Sequence, residues 1–164
     1  MADSKEQKKK LNTQITTCTV GEIQENISIS SNTHSKPSKE QIINQAINYH
    51  SEGKIKEATK YYEYCIDKGF DDYRVFHNYG ILLQALGNLK KAEIITRKAI
   101  DLNSGFADSY FSLGSILKNL RNLKEAEIVL KKAIQINPNH CKAHLNLGDI
   151  LYELGKTDEA YISE

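Results

Sequence analysis

Two histidines with a cysteine between them are the side chains best spaced to bind a metal ion. His140 and His144 lie four residues apart, which would place both rings on one face of a helix, and Cys141 falls inside that interval. The other cysteines, Cys18 and Cys65, are distant in sequence, and no CxxC pair is present. A zinc site needs several such ligands at close spacing. We therefore predict packed histidines, reduced thiols and no metal site.

Signatures of catalysis are missing from the sequence. It contains no GxSxG, HExxH, Walker or GxGxxG motif. Cys65 falls at a position where small residues recur, which indicates packing, and Cys141 has no evident partner base. We therefore predict neither enzymatic activity nor a cofactor.

Composition narrows the class of protein further. The 164 residues are 26% charged and 40% hydrophobic, with a formal net charge of +1. Near-neutrality argues against a nucleic-acid module that works by bulk positive charge. No stretch reaches the roughly 18 uncharged apolar residues that a membrane helix needs, and the first residues do not resemble a signal peptide. We expect a cytoplasmic protein of one domain, without nucleic-acid or membrane partners.

The chain repeats itself every 34 residues. Residues of similar type recur at this spacing, and we call each such set of equivalent positions a column. A column of small residues is followed seven positions later by a column rich in glycine and twelve positions later by a column of alanines. The small column holds Ala46, Gly80, Gly114 and Gly148; the alanine column holds Ala58, Ala92, Ala126 and Ala160; the glycine column holds Gly53, Gly87, Arg121 and Gly155. Such columns at a fixed period are typical of repeat architectures.

Within each unit, apolar residues recur at helical spacing on either side of the glycine column. Each unit is therefore predicted to be a helix, a tight turn and a second helix. We expect the small column to face the alanine column where the two helices cross. Pro37, Ser38 and Gln41 predict the start of the first helix, Asn122 and Glu125 predict a capping box, and Tyr61 is expected on a surface.

These columns resemble the tetratricopeptide repeat (TPR) family, whose period is also 34. The family's bulky residue four before the small column is matched by Ile42, Phe76 and Tyr110. The family's aromatic residue sixteen positions after the small column is matched by Tyr62 and poorly matched by Thr96. The proline that closes a repeat in the family is matched by Pro138. The resemblance implies an all-α fold, a right-handed TPR superhelix (α-solenoid). It also implies a protein- or peptide-binding scaffold with no chemistry of its own.

Read in this register, the chain divides into five parts. They are a Ser/Thr/Asn/Lys-rich tail at 1–38, repeats at 39–72, 73–106 and 107–140, and an incomplete fourth repeat at 141–164. The composition of the tail is typical of a disordered segment, and the alternative is that it folds back along the groove of the array. Because the fourth repeat stops early, we expect apolar surface near Leu147, Ile150 and Leu151 to favour self-association.

A column of polar residues two before the small column suggests how a ligand is bound. It holds Asn44, Asn78, Ser112 and Asn146, and in the TPR architecture it would line the concave face. An asparagine amide offers a donor and an acceptor, which matches one peptide bond of an extended ligand. The column is similar to the asparagine ladder of protein O-linked N-acetylglucosamine transferases. In this chain Ser112 interrupts the row of asparagines.

We predict that this face binds an extended peptide. Asn44, Asn78 and Asn146 would hold the ligand backbone, and side-chain selectivity would come from Arg74, His77, Phe111, Ser112 and Asp149. The carboxylate clamp of chaperone-binding TPR proteins is rejected, because Ile43 and Ile47 occupy the places of its basic residue and its asparagine.

Three functional hypotheses follow. The first is a non-catalytic scaffold that binds a segment of another protein. The second is the substrate-recruiting arm of a larger glycosyltransferase, methyltransferase or sulfotransferase, cut short after residue 164. The third is a self-assembling structural protein whose fourth repeat meets another copy.

Overall fold

A computed structural model describes residues 37–156, and every regular element in that range is an α-helix. The seven helices are α1 Lys39–Ser51, α2 Ile55–Asp67, α3 Tyr73–Ala85, α4 Leu89–Leu102, α5 Ala107–Asn119, α6 Leu123–Ile136 and α7 Cys141–Glu153. This confirms the predicted all-α architecture of helix pairs. Except for Pro37 and Ser38, the predicted tail lies outside the described residues.

Local side-chain caps start several of the helices. The Ser38 hydroxyl accepts a hydrogen bond from the Gln41 N–H at 3.2 Å, and the Gln41 side chain accepts one from the Ser38 N–H at 2.8 Å. This capping box lies at the predicted start of the first helix. Asp72 caps α3 by accepting from the Arg74 N–H at 3.0 Å. The box predicted at Asn122 is wrong, because its amide instead donates to the Glu125 carboxylate at 2.8 Å.

The turn inside each repeat requires one residue with positive φ. Gly53, Gly87 and Gly155 adopt φ of 71°, 76° and 74° at equivalent places. Arg121 fills the same place in the third repeat with φ of 63°. An L-residue with a side chain is strained in this left-handed region, whereas glycine is not.

The helices form two rows. Helices α1, α3, α5 and α7, the first helices of the four repeats, contact one another in series, and each also packs on the second helix of its own or the preceding repeat. Ion pairs join successive second helices: Lys91 to Glu63 at 3.2 Å and Arg97 to Glu125 at 2.7 Å. Among residues 37–156, no helix is long and apolar enough to cross a membrane.

The glycines of the small column allow close approach, but to a neighbour other than the one expected. A Cβ added at Gly114 would lie 2.6 Å from Cγ of Leu130, and one added at Gly80 would collide with the Thr96 hydroxyl. Both neighbours stand sixteen positions after the glycine instead of twelve. The alanine column contributes a contact at Gly80, where the carbonyl oxygen of Ala92 would lie 3.6 Å from the added Cβ.

Buried apolar side chains between the two rows form the core. One cluster fills the first two repeats, and a second cluster fills the third repeat and α7. Tyr61, expected on the surface, is only 3% exposed because its ring packs edge-on against Tyr49, with centroids 5.2 Å apart. Leu147, Ile150 and Leu151, near which apolar surface was expected, are themselves buried, and the exposed apolar side chains of the same helix are Leu145 and Tyr152.

Candidate functional site

The predicted polar column runs along the first helices, whose solvent-facing side we call the first-helix face. Asn44 is exposed, Asn78 and Asn146 are half-buried, and Ser112 is 4% exposed. One polar side chain per repeat therefore recurs on a row of touching helices. Three of the four are accessible, and the fourth lies beneath the surface.

Arg74 is held by carboxylates on both sides. Its two terminal nitrogens donate to the two oxygens of Glu40 on α1 at 2.9 and 2.8 Å. Its Nε and one terminal nitrogen donate to Asp72 at 3.0 and 2.8 Å. These hydrogen bonds raise the pKa of Arg74 and lower the pKa of Glu40 and of Asp72. The arrangement ties the first repeat to the second and neutralises the positive charge.

Two asparagines of the column are connected to this cluster. Asn78 donates through its amide nitrogen to the Arg74 carbonyl oxygen at 2.8 Å, which leaves its amide oxygen as an acceptor. Asn44 forms a hydrogen bond with Glu40 that helps to lower the pKa of that carboxyl. Both amides are thus partly oriented before any ligand binds.

His77 lies under the face. It is 9% exposed, its Nδ1 lies 3.2 Å from the Ser109 hydroxyl, and its ring meets Phe106 edge-on with centroids 5.0 Å apart. Burial lowers its pKa, and nearby Asp108 opposes that shift. Burial therefore disfavours the charged imidazolium in the folded protein.

Phe111 occupies the same column one repeat later and is half-buried against the His140 ring, with centroids 5.0 Å apart. His140 accepts at Nδ1 from the Ala143 N–H at 3.2 Å, and its Nε2 lies 3.0 Å from Asp108. His144 is 2.9 Å from the Pro138 carbonyl oxygen. These contacts direct both histidines to protein atoms, and the described residues contain no group of three or more metal-ligating side chains arranged to hold an ion.

Asp149, the last of the predicted selectivity residues, is exposed and paired with Lys118 at 2.7 Å. Gln84 donates to the Ser115 hydroxyl at 2.9 Å across the preceding junction. In both pairs the residues stand 31 positions apart, so the same spacing links α3 to α5 and α5 to α7. Asp149 is therefore part of the repeat junction as well as of the face.

Two exposed apolar side chains on α7 were not among the predicted site residues. Leu145 is 59% exposed and Tyr152 is 72% exposed. Leu145 belongs to the column of His77 and Phe111, so the 34-residue register was the signal that could have found it. In the second and third repeats, a ring just before the following first helix covers the residue of this column. Phe106 covers His77, and His140 covers Phe111.

The buried thiol matches the packing role predicted for it. Cys65 is fully buried, and burial raises its pKa to about 12, so the reactive thiolate is suppressed.

The fold is similar to several solved structures. A crystal structure of MamA superposes with a TM-score of 0.74 at 19% identity, covering 85% of this chain and 79% of that one. YrrB, described as a TPR protein with an unusual peptide-binding site, gives 0.70 at 23% identity, covering 77% and 65%. A Thermobaculum terrenum O-GlcNAc transferase mutant gives 0.64 at 21% identity, covering 69% of this chain and 22% of that one.

Sequence comparisons identify the family. No curated protein matches the chain. Two family models do match, both described as tetratricopeptide repeat: one at residues 73–106 and 107–140, the other at 129–161. Together they cover more than half of the sequence, and the chain belongs to the tetratricopeptide repeat family.

Proposed function

We propose that this protein is a non-catalytic scaffold that binds an extended segment of another protein along the first-helix face. The observation that carries the proposal is the polar column with Asn44, Asn78 and Asn146 accessible at one residue per repeat. An extended peptide presents a carbonyl and an N–H at regular intervals, and each amide side chain can pair with both. Such contacts recognise the ligand backbone irrespective of its sequence.

Ligand selectivity would come from the side chains around that column. The Arg74 charge is already matched by Glu40 and Asp72, so it is a weak attractor for an acidic ligand residue. Phe111 is half-buried, and Leu145 and Tyr152 are exposed on α7. We therefore expect the α7 end of the face to select apolar or aromatic ligand side chains.

His77 and Ser112 act beneath the face, where they set its shape, because both are buried. Asp149 contributes by holding Lys118 across the junction. An interface of this length falls below the standard size, so the expected affinity is about micromolar.

The test is a peptide library titrated onto the wild-type chain and onto an Asn78→Ala, Asn146→Ala double variant. Loss of two backbone-pairing amides should weaken every bound peptide by about tenfold. The matched control is Asn88→Ala, because Asn88 is an exposed asparagine in a turn whose side chain makes no capping hydrogen bond.

Equal binding of all ligands by the double variant and the wild type would exclude the asparagine column as the binding element. Unchanged thermal unfolding of the double variant is required for the comparison. Turnover of a substrate by the purified chain would refute the non-catalytic assignment.

A second candidate function is supported by the likeness to the O-GlcNAc transferase, of which this chain matches 22%. In that case the repeats would recruit substrates for a larger enzyme of the glycosyltransferase, methyltransferase or sulfotransferase type. The coding DNA beyond the Glu164 codon decides between the candidates. Further repeats followed by a catalytic domain in frame would support the recruiting arm, and their absence would remove it.

A further inference from the structure

The second helices carry a repeated pattern that the peptide-binding proposal does not use. Helix α4 presents Lys90, Ile94 and Lys98 at steps of four, and α6 presents Lys124, Ile128 and Lys132 at the same steps. The two sets are 34 residues apart, position for position. All six side chains are exposed, and we call them the second-helix strip.

The two isoleucines are unusual for exposed helix positions. Ile94 is 68% exposed and Ile128 is 67% exposed. A single exposed apolar residue is ordinary, but the same residue recurs here in the same column of adjacent repeats. Isoleucine is also a poorer helix former than lysine or glutamate, so local helix stability does not explain the choice.

The lysines around the isoleucines form no ion pairs among residues 37–156. Within the described part of the chain, Lys90, Lys98 and Lys124 have no ion-pair partner, and Lys132 contacts only the neutral Gln135, at 3.0 Å. The glutamates of the two helices are already engaged. Glu93 and Glu125 bind Arg97, and Glu127 binds Lys131 and Lys156.

A shallow cavity adjoins one end of the strip. It has a volume of about 440 Å³ and is lined by Ile128, Val129 and Lys132 together with Tyr110. The Arg97 fork also joins α4 to α6, with 2.9 Å to Glu93 and 2.7 Å to Glu125. The ion pair between Arg97 and Glu125 therefore links the two halves of the strip.

We propose that the second-helix strip docks an acidic protein segment that carries apolar side chains. The lysines would pair with its carboxylates, the isoleucines would cover its apolar residues, and one of those residues would enter the cavity beside Ile128. A protein segment is favoured over a membrane surface because only two apolar side chains project from the strip, whereas four lysines surround them. It is favoured over nucleic acid because none of the six strip side chains has a ring for base stacking, and the one ring beside the strip, Tyr110 in the cavity wall, is half-buried.

The test begins with phage-displayed dodecapeptides selected on the intact 164-residue chain. Enriched peptides are titrated by fluorescence anisotropy onto the wild type and onto two strip variants, Ile94→Ser with Ile128→Ser, and Lys90→Glu with Lys124→Glu. We expect one family of peptides, rich in Asp or Glu with an apolar anchor, whose Kd weakens by about tenfold in each strip variant. Binding of this family should also weaken as salt is raised, since exposed charges are screened.

Matched controls keep the test specific. Leu86→Ser removes an exposed apolar side chain from a turn, and Lys142→Glu reverses an exposed lysine on α7. Both should leave Kd unchanged, and so should Asn78→Ala with Asn146→Ala, which separates this site from the first-helix face. Because the strip side chains, Leu86 and Lys142 are exposed, the variants at these positions should unfold at the wild-type temperature.

Three outcomes would overturn the proposal. The first is that no selected family loses affinity in the strip variants. The second is that the families which do lose affinity show no excess of acidic residues. The third is that the strip variants abolish binding to vesicles with 30% phosphatidylserine or to a 20-nucleotide single-stranded DNA, with no acidic peptide family found.

Discussion

Replacing Gly114 with alanine measures how tightly the two helices of the third repeat are packed. Gly114 lies within α5 and faces Leu130 of α6, a fully buried side chain. The new Cβ would lie 2.6 Å from Cγ, 2.8 Å from Cδ2 and 3.3 Å from Cδ1 of that leucine. Ordinary carbon contacts are about 3.5–4.0 Å, so Leu130 or its helix would have to move by about 1 Å.

Two effects of opposite sign set the expected magnitude. Alanine is favoured over glycine inside a helix by about 1 kcal/mol. Overpacking a well-filled core costs about 1–3 kcal/mol. We therefore expect Gly114→Ala to lower the free energy of unfolding by about 1 kcal/mol, measured by urea denaturation followed by circular dichroism.

A double-mutant cycle separates the clash from the helix preference. Leu130→Ala alone should cost about 2–5 kcal/mol, because it opens a cavity next to Gly114. In the Gly114→Ala, Leu130→Ala double variant the added methyl group enters that space, so the total cost should fall short of the sum by at least about 1 kcal/mol. Leu83, buried in the other core cluster, is the control, and Gly114→Ala with Leu83→Ala should be additive. A stabilised Gly114→Ala variant, or additivity with Leu130→Ala, would refute the packing argument.

Three further predictions concern single sites. Thr96→Val should raise the free energy of unfolding by about 1 kcal/mol in urea titrations, because the Thr96 hydroxyl is buried without a hydrogen-bond partner among the described residues; a loss of stability would mean that the hydroxyl is satisfied. Arg121→Gly should raise the free energy of unfolding by about 0.5–1 kcal/mol, because glycine removes the strain of a side chain at positive φ. Gly87→Ala should lower it by a similar amount, because it introduces that strain. Equal effects of the two changes on the melting temperature would contradict this interpretation. The wild-type protein should lose stability on acidification more steeply than a His77→Phe variant. Burial lowers the pKa of His77 in the folded protein below its unfolded value of about 6.5. The stabilising contribution of the neutral ring is therefore present above that pH and disappears as pH falls through the folded pKa. Melting temperatures measured from pH 7.5 down to pH 4.5 test the last point, and parallel curves for variant and wild type would exclude His77 as a source.

The 34-residue register predicted the helix pairs and placed Arg121 in the glycine column. The positive φ of Arg121 follows from the turn that the column requires. The register alone did not predict which side chains of different helices touch. Tyr61 looked like a surface residue from the pattern of its own helix, yet Tyr49 of α1 covers it. Burial of that kind depends on the size of a side chain on another helix.

Much of the candidate site has the same limitation. The register assigned Arg74, His77 and Asp149 to one face but did not reveal the partners that occupy them. Glu40 and Arg74 carry opposite charges in one column, one repeat apart, and this signal could have indicated their pairing. The partner of His77 stands in a different column, on the next first helix. Peptide binding by the asparagine column stays a prediction.

The ion pairs between successive second helices have a consequence for how the array can be rearranged. At the first junction an acidic residue of the earlier repeat, Glu63, meets Lys91, whereas at the second a basic residue, Arg97, meets Glu125. Deleting residues 73–106 would bring Glu63 opposite Glu125, and duplicating them would bring Arg97 opposite a second copy of Lys91. Each pair is partly exposed and contributes less than about 1 kcal/mol, but a like-charge contact replaces attraction with repulsion. The polarity of these pairs reverses from the first junction to the second, so the native order of the repeats is favoured over the deletion or the duplication.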